Sequence, residues 1–350
     1  MKRNALSWSA TVHTVRERTR LALDLEDHPD KGIAGMQLRR LDELVADPYG
    51  IVVDEWEIPP DKHMLKSPIA FREQIKNEFR DPDCRGAKMP ANKTHGLMQF
   101  REHEVTVWYG YKKSYKSVFL NELFTHWACI GIPVAMASFE MPAFKLAALA
   151  VRQATARQLP GEADIDLAIE RLAEAMVIYD VMGKVQPPHM LAVMRYCAIA
   201  LGCRHFLLDN LTTLLPVGND NFDLHQQFMS GVLSIARATG MHMHVVAHCA
   251  KPKDGDVSKP PNSYSIRGTG AVPDMVDNLI GVWRNIPKED KLDDDRTASA
   301  KRDELSREPD LLLLVDNQKF WDFRGNFKYW IDRRVLRFRE GGYLECEPFI

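Results

Sequence analysis

Residues 104–117, EVTVWYGYKKSYKS, place an apolar strand, a short basic turn and the start of a helix in direct succession. A helix that begins directly after such a turn presents backbone N–H groups, which can surround phosphate oxygens. Gly110, Lys116 and Ser117 have the spacing of the phosphate-binding loop GxxxxGK[ST]. The stretch therefore predicts a nucleotide-binding domain of the α/β class.

The loop departs from this pattern at Tyr115, where a glycine normally precedes the lysine. A left-handed backbone costs a residue other than glycine about 1 to 2 kcal/mol, and a side chain here is expected to crowd the phosphates. Taken alone, the segment is equally consistent with a lysine-rich turn at an ordinary helix start. The candidate nucleotide contacts in the loop are Gly110, Lys113, Ser114, Tyr115, Lys116 and Ser117.

From residue 101 onward, short apolar runs alternate with longer helical stretches, one of them at 163–181. This alternation predicts a mostly parallel sheet flanked by helices. The highly charged residues 286–309 are interpreted as a solvated surface loop. The predicted strands are residues 104–110, 133–140, 204–210, 242–249, 278–284 and 311–317.

Polar residues follow or end three of these strands. Glu140 lies at the end of the second, Asp209 at the end of the third, and His248 at the end of the fourth. Because parallel strands end at a common edge, these side chains are expected to lie beside the phosphate loop. There Glu140 can activate a water molecule, Asp209 can support Mg²⁺, and His248 can sense the terminal phosphate. The alternative for each is a structural role, such as capping a helix or turn.

The segment 251–265 is rich in proline and glycine and contains Lys251, Lys253 and Lys259. Such a loop can follow a phosphate backbone. Asp254 and Asp256 offset part of this charge, so a solvated surface loop remains an open alternative.

Length and composition fit one large domain with an appendage: the chain has 350 residues, 45% of them hydrophobic. We expect a small, mainly helical appendage at residues 1–90 and the main domain at 91–350. The net charge of -2 argues against a protein that coats nucleic acid through overall charge. Six scattered cysteines, and no run of the about 20 apolar residues that a membrane span needs, predict a soluble cytoplasmic protein with reduced thiols.

Several segments, taken in order, resemble the motor domain of DnaB-family ring helicases, particularly the phage and Twinkle branch. The resemblance covers about residues 90–340 and implies a RecA-like fold that uses ATP and Mg²⁺. The most specific segments are those containing SFEMP and RGTGA. The segments are EVTVWYGYKKSYKS, ASFEMP, FLLDNLTTLL, HVVAHCAKP, SIRGTGAVPDMVDNLIGVWRN and DNQKFWDFRGNFKYWID.

The resemblance also implies roles for individual residues. In such rings a neighbouring subunit inserts a basic finger into the nucleotide site; Lys319 stands at that position, with Arg324 as a second candidate. Lysine lacks the planar fork of arginine, so its contribution is expected to be weaker. The remaining implied assignments are Lys116 and Ser117 for phosphate and Mg²⁺, Ser117 and Asp209 for the metal, Glu140 as catalytic base, His248 as phosphate sensor, and Arg267 near the DNA loop.

On this basis we expect an ATP-dependent replicative DNA helicase, a phage-derived hexameric ring with single-stranded DNA gripped by residues 251–265. A primase or another replication protein is an expected partner. The alternative, motivated by Tyr115, is a relative that binds nucleotide, DNA or a replication protein without turnover. A RecA-like recombinase shares the core but fits the SFEMP and RGTGA segments less well.

Overall fold

The computed structural model divides the chain into two compact units, Met1–Asp81 and Pro82–Ile350. In the first unit a 3-10 turn, Pro68–Phe71, leads into helix α1, Arg72–Arg80. Residues 1–65 and 81–85 of the expected, mainly helical appendage lie outside the described residues, and the division at residue 90 remains a prediction. The structure describes residues 66–80, 86–180, 184–215, 222–252, 255–267, 271–294, 298–320, 322–341 and 345–350.

Within these ranges, nine strands of the second unit form one sheet in the order β3-β2-β4-β5-β1-β6-β7-β8-β9. Strands β1 to β6 pair in parallel, and β7 to β9 continue the sheet antiparallel. The strands are β1 Val105–Gly110, β2 Val134–Ser138, β3 Met176–Tyr179, β4 His205–Asp209, β5 His242–His248, β6 Asn278–Arg284, β7 Leu311–Gln318, β8 Gly325–Asp332 and β9 Arg337–Arg339.

Both faces of the parallel part are buried. In β1, Val107 and Tyr109 enter one apolar core, whereas Trp108 enters the core on the other face. This two-sided burial is typical of parallel strands covered by helices, and it confirms the predicted fold class. Among the described residues, no helix is long and apolar enough to span a membrane. The helices are α2 Lys116–Cys129, α3 Ala143–Thr155, α4 Glu162–Ala173, α5 Pro187–Ile199, α6 Leu211–Leu214, α7 Phe222–Thr239, α8 Ala271–Met275, α9 Ile286–Asp293 and α10 Ser299–Arg307.

One predicted helix, at residues 163–181, is wrong in its second half. Helix α4 ends at Ala173, and β3 follows at Met176–Tyr179. These four residues pair in parallel with β2, from Val134 to Ala137. The run MVIY favours a strand, and pairing with β2 satisfies its backbone groups.

The interpretation of residues 286–309 as a surface loop is also wrong, because α9 and α10 form there. The side chain of Asn285 caps α9 by accepting a hydrogen bond of 3.2 Å from the Lys288 amide. Lys288 is buried, with its ammonium 2.7 Å from the Asp310 carboxylate. The charges of this segment are thus partly satisfied inside the fold.

Three histidine rings, those of His205, His242 and His244, are buried together on the Trp108 face of the sheet. The Trp108 indole donates to Nδ1 of His244 at 3.1 Å, so His244 must accept at that atom. His244 Nε2 and His205 Nδ1 lie 3.2 Å apart, where the remaining N–H of His244 can donate. Burial lowers the pKa of His242 to about 4 and holds the pKa values of His205 and His244 well below the ordinary value.

This cluster predicts acid sensitivity. An unfolded histidine has a pKa near 6.5, so the unfolded chain binds more protons below that pH and stability falls between about pH 6.5 and 4. We expect His244→Gln to flatten the dependence of unfolding free energy on pH by up to about 1.4 kcal/mol per pH unit in that window. Denaturant titrations at several pH values measure this slope, with the exposed His189→Gln as control. Equal slopes for the wild type and His244→Gln would contradict the prediction.

Candidate nucleotide-binding site

The carboxyl ends of five neighbouring strands form the candidate site. The sheet order β2-β4-β5-β1-β6 sets the order of the groups along this edge. Glu140 follows β2, Asp209 ends β4, His248 ends β5, and the phosphate-binding loop follows β1. Gly110 pairs with His248 in the parallel register. The structure therefore places the predicted strand-end residues on one edge beside the loop.

The loop backbone has left-handed geometry at two residues other than glycine, Lys113 and Tyr115, both with φ of 65°. The left-handed backbone expected at Tyr115 is therefore present. Gly110 is required for a different reason, since a Cβ atom there would lie 2.4 Å from the carbonyl oxygen of Val282 and 2.9 Å from Oγ of Ser114. The loop thus passes close to β6.

Lys116 is the first residue of α2, and its side chain is buried within the loop. Its ammonium donates to the carbonyl oxygens of Gly110 at 3.1 Å and Tyr111 at 2.8 Å, and to Oγ of Ser114 at 3.3 Å. Burial lowers the pKa of Lys116 to about 8. The ammonium lies where the N-terminus of a helix also attracts anions.

The Tyr115 ring is half-buried against two side chains. It makes an edge contact with Phe338, with ring centroids 6.2 Å apart, and the guanidinium of Arg284 lies 4.3 Å from its centroid. Phe338 belongs to β9 and Arg284 ends β6. The ring is therefore packed against the fold on the β6 and β9 side of the loop, and these contacts offset the cost of its backbone conformation.

Asp209 and Ser117 form a second pair at this edge. The Asp209 carboxylate is buried and accepts a hydrogen bond from the Ser117 side chain. Burial raises the pKa of Asp209 to about 6, so it is mostly ionised at neutral pH. Its Oδ1 atom has no hydrogen-bond partner among the described residues. A hydroxyl beside a carboxylate with an unused oxygen fits the ligand preference of Mg²⁺.

Glu140 belongs to a hydrogen-bonded trio with Asn210 and His248. The Asn210 amide donates to Oε1 of Glu140 at 2.6 Å, and Nε2 of His248 lies 2.9 Å from the same oxygen. Hydrogen bonding from His248 lowers the pKa of Glu140, against the opposing effect of burial. The carboxylate is thus ionised and held in place, as a general base requires. Asn210 was not predicted as a site residue from the sequence, although it directly follows Asp209.

The predicted DNA contacts begin directly after His248. The segment returns to the sheet through the Arg267 amide, which donates to the His248 carbonyl at 2.8 Å, and the Ala250 amide, which donates to the Ser265 carbonyl at 2.7 Å. Lys251, Lys259 and Arg267 are exposed, whereas Lys253 lies outside the described residues. Tyr264 in the same segment is 92% exposed and was missed by the sequence reasoning.

The candidate finger residue Lys319 does not join the site of its own chain. Strand β7 runs antiparallel to β6, and the Lys319 amide donates to the Asp277 carbonyl at 2.8 Å, just before β6 begins. Its ammonium lies 3.6 Å from the Asp277 carboxylate. The seven residues of β6 separate the two edges by roughly 20 Å, more than a lysine side chain can span. Arg324 is exposed immediately before β8.

Parts of the chain are similar in sequence to known proteins. Residues 84–254 match the family described as AAA domain. A DNA helicase/primase of Enterobacteria phage T3 is 26% identical over 113 residues, which are 31% of this chain and 20% of that protein. The chain thus matches only a fifth of this relative's length.

Two solved structures share the fold. The first is an ATPase domain, which superposes with a TM-score of 0.61 at 13% identity, covering 78% of this chain and 98% of that one. The second, a DnaB-like replicative helicase solved in a study of its interactions with primase, gives a TM-score of 0.59 at 13% identity and covers 94% of this chain and 76% of that one. In fold, the chain is thus similar to an ATPase domain and to a DnaB-like replicative helicase, and over part of its sequence it is similar to an AAA domain and to a phage DNA helicase/primase.

Proposed function

We propose that this chain is the motor of a replicative DNA helicase, which hydrolyses ATP to move along single-stranded DNA. The observation that carries the proposal is the convergence of Lys116, Ser117, Asp209 and Glu140 at one edge of the sheet. The segment of exposed cations begins at the same edge. A protein that used the fold only as a scaffold would have no chemical need for this set.

The residues divide the work of phosphoryl transfer between them. The N-terminus of α2 and the Lys116 ammonium bind the terminal phosphates, exchanging loop carbonyls for phosphate oxygens. Ser117 and Asp209 would hold Mg²⁺, which neutralises phosphate charge when bound. Glu140 accepts a proton from the attacking water while Asn210 and His248 fix its orientation.

His248 is suited to report the state of the nucleotide to the DNA-binding segment. Its imidazole contacts Glu140, and its backbone carbonyl accepts from Arg267 at the far end of that segment. A change at the terminal phosphate that moves His248 would therefore also move Arg267. We propose that Lys251, Lys259 and Arg267 contact DNA phosphates and that Tyr264 stacks on a base.

The position of Lys319, too far from its own phosphate loop to reach it, supports a proposal of assembly. We propose a homohexameric ring in which Lys319, with Arg324 nearby, reaches the nucleotide of the adjacent subunit. The DnaB-like neighbour is described together with primase, and the phage relative is a helicase/primase. We therefore propose a primase or another replication protein as partner, and the cytoplasm of a bacterial host as the site of action.

The decisive test is ATP hydrolysis by the purified chain with and without single-stranded DNA. We expect stimulation by DNA of about tenfold or more, together with a hexamer in native mass spectrometry when an ATP analogue is present. The triple variant Lys251→Ala, Lys259→Ala, Arg267→Ala should lose the stimulation and retain the basal rate. Binding of nucleotide and DNA without turnover would overturn the motor assignment and favour the inactive relative.

A further inference from the structure

Arg284 contacts the phosphate-binding loop at both of its left-handed residues other than glycine. Its guanidinium donates to the carbonyl oxygen of Lys113 at 3.2 Å and lies 4.3 Å from the centroid of the Tyr115 ring. Arg284 ends β6, which is the neighbour of β1 on the side opposite His248. One side chain thus holds the two positions where the loop backbone is least favourable.

Arg284 is itself held in place. The buried Glu289, on α9, accepts from Nε of Arg284 at 3.0 Å with each of its carboxylate oxygens. Nη2 of Arg284 donates to Oε2 of Glu289 as well, so the contact is bidentate and fixes both the position and the plane of the guanidinium. The loop is therefore connected through Arg284 to a helix of the segment at residues 286–309.

We propose that Tyr115 and Arg284 form a latch that holds the phosphate-binding loop in the conformation that receives nucleotide. In this chain the latch replaces the conformational freedom that a glycine before the lysine would supply. The inference rests on the proposed function of the loop, but it concerns the loop of the free protein. Arg284 acts through Tyr115 and Lys113, so it is a positioning residue.

The latch makes different predictions for nucleotide affinity and for turnover. Loss of the latch lets the loop sample other conformations, so nucleotide must select a smaller population and its affinity falls. Once nucleotide is bound, the catalytic groups Glu140 and Asp209 are unchanged. We therefore expect Arg284→Gln to raise the KM for ATP and the Kd for Mg·ADP about tenfold, with kcat at saturation altered less than twofold.

The ring can be removed without changing the backbone preference. Tyr115→Asn keeps a residue that tolerates the left-handed conformation but lacks the aromatic face, whereas Tyr115→Phe keeps the face. The latch predicts that Tyr115→Asn weakens Mg·ADP binding about fivefold and that Tyr115→Phe binds like the wild type. In the Tyr115→Asn background, Arg284→Gln should have a clearly smaller effect than in the wild type, because the two residues act as a pair.

Hydrogen exchange of the loop amides at residues 111–117, in the protein without nucleotide, tests the latch independently of binding. We expect exchange about tenfold faster in Arg284→Gln than in the wild type. Arg333→Gln is the matched control, because Arg333 also pairs with Glu289, at 3.2 Å, and is exposed. Unchanged exchange in Arg284→Gln would overturn the latch, even if the chain binds nucleotide. A wild type that binds no Mg·ADP would instead overturn the proposed function, while the exchange result would still decide the latch.

Discussion

Replacing Lys116 with alanine is expected to reduce kcat for ATP hydrolysis by about 100- to 1,000-fold, the range found when one preorganised hydrogen-bond donor to a transition state is removed. Lys116 is the buried cation at the centre of the loop, with its ammonium within 3.3 Å of three loop oxygens. Alanine leaves the helix N-terminus but removes the positive charge that we propose binds the terminal phosphates. Steady-state ATP hydrolysis at several ATP concentrations measures the effect.

Two further measurements make the Lys116 result interpretable. The exposed Lys301→Ala, on α10, removes an equal charge far along the chain and should hydrolyse ATP like the wild type. Thermal unfolding should show that Lys116→Ala still folds, because burial disfavours the lysine charge in the free protein. If Lys116→Ala folds and hydrolyses ATP at the wild-type rate, the proposed role of the phosphate loop in hydrolysis is wrong.

Replacing Glu140 with glutamine should separate nucleotide binding from hydrolysis. Glutamine has the same shape as glutamate and keeps an oxygen that can accept from the Asn210 amide. In the wild type this amide lies 2.6 Å from Oε1 of Glu140. It cannot accept a proton from water at neutral pH. We expect kcat to fall by about 100- to 10,000-fold, the contribution of a positioned general base, while the Kd for Mg·ADP stays within about twofold of the wild type.

Single-turnover hydrolysis and equilibrium binding together measure this separation. Glu170→Gln, an exposed substitution of the same type on α4, serves as the control. Equal losses of binding and turnover in Glu140→Gln would indicate a structural role for the carboxylate, the alternative that sequence alone left open. Unchanged turnover would mean that another group accepts the proton.

The arrangement of the strand edge was predictable because it depends on local signals. Apolar runs ending in Glu140, Asp209 and His248 follow from the sequence, and a parallel sheet brings such ends together. The hydrogen bonds that connect Glu140 and His248 through Asn210 were not predictable. Asn210 connects Glu140 to His248, and its contacts join residues separated by 70 and 38 positions in the chain.

The direction of the Tyr115 ring was also not predictable from the sequence. Its left-handed backbone follows from the position of a residue that the loop pattern assigns to glycine. Its side-chain partners are distant in sequence, since Arg284 and Phe338 come from β6 and β9. Whether the Tyr115 side chain crowds the phosphates therefore depends on its contacts with β6 and β9. The loop motif alone does not encode how these strands pair.

The two incorrect secondary-structure predictions have a common cause. Charge suggested a loop at residues 286–309, and helical periodicity was extended through the run at Met176–Tyr179. In both places a tertiary partner decides the outcome. Lys288 and Glu289 are buried against Asp310 and Arg284, and β3 pairs with β2. Local propensity was outweighed by contacts made elsewhere in the fold.

The reversal of chain direction at β7 has a consequence for how activity is measured. Because Lys319 follows that strand at the sheet edge opposite its own loop, the nucleotide of an isolated copy would lack the basic group that we propose a neighbour supplies. Specific activity would then follow mass action: dilution below the dissociation constant of the assembly would lower the rate per chain at a fixed ATP concentration. Mixing inactive Lys116→Ala chains with inactive Lys319→Ala chains would restore turnover at those junctions where an intact loop meets an intact lysine.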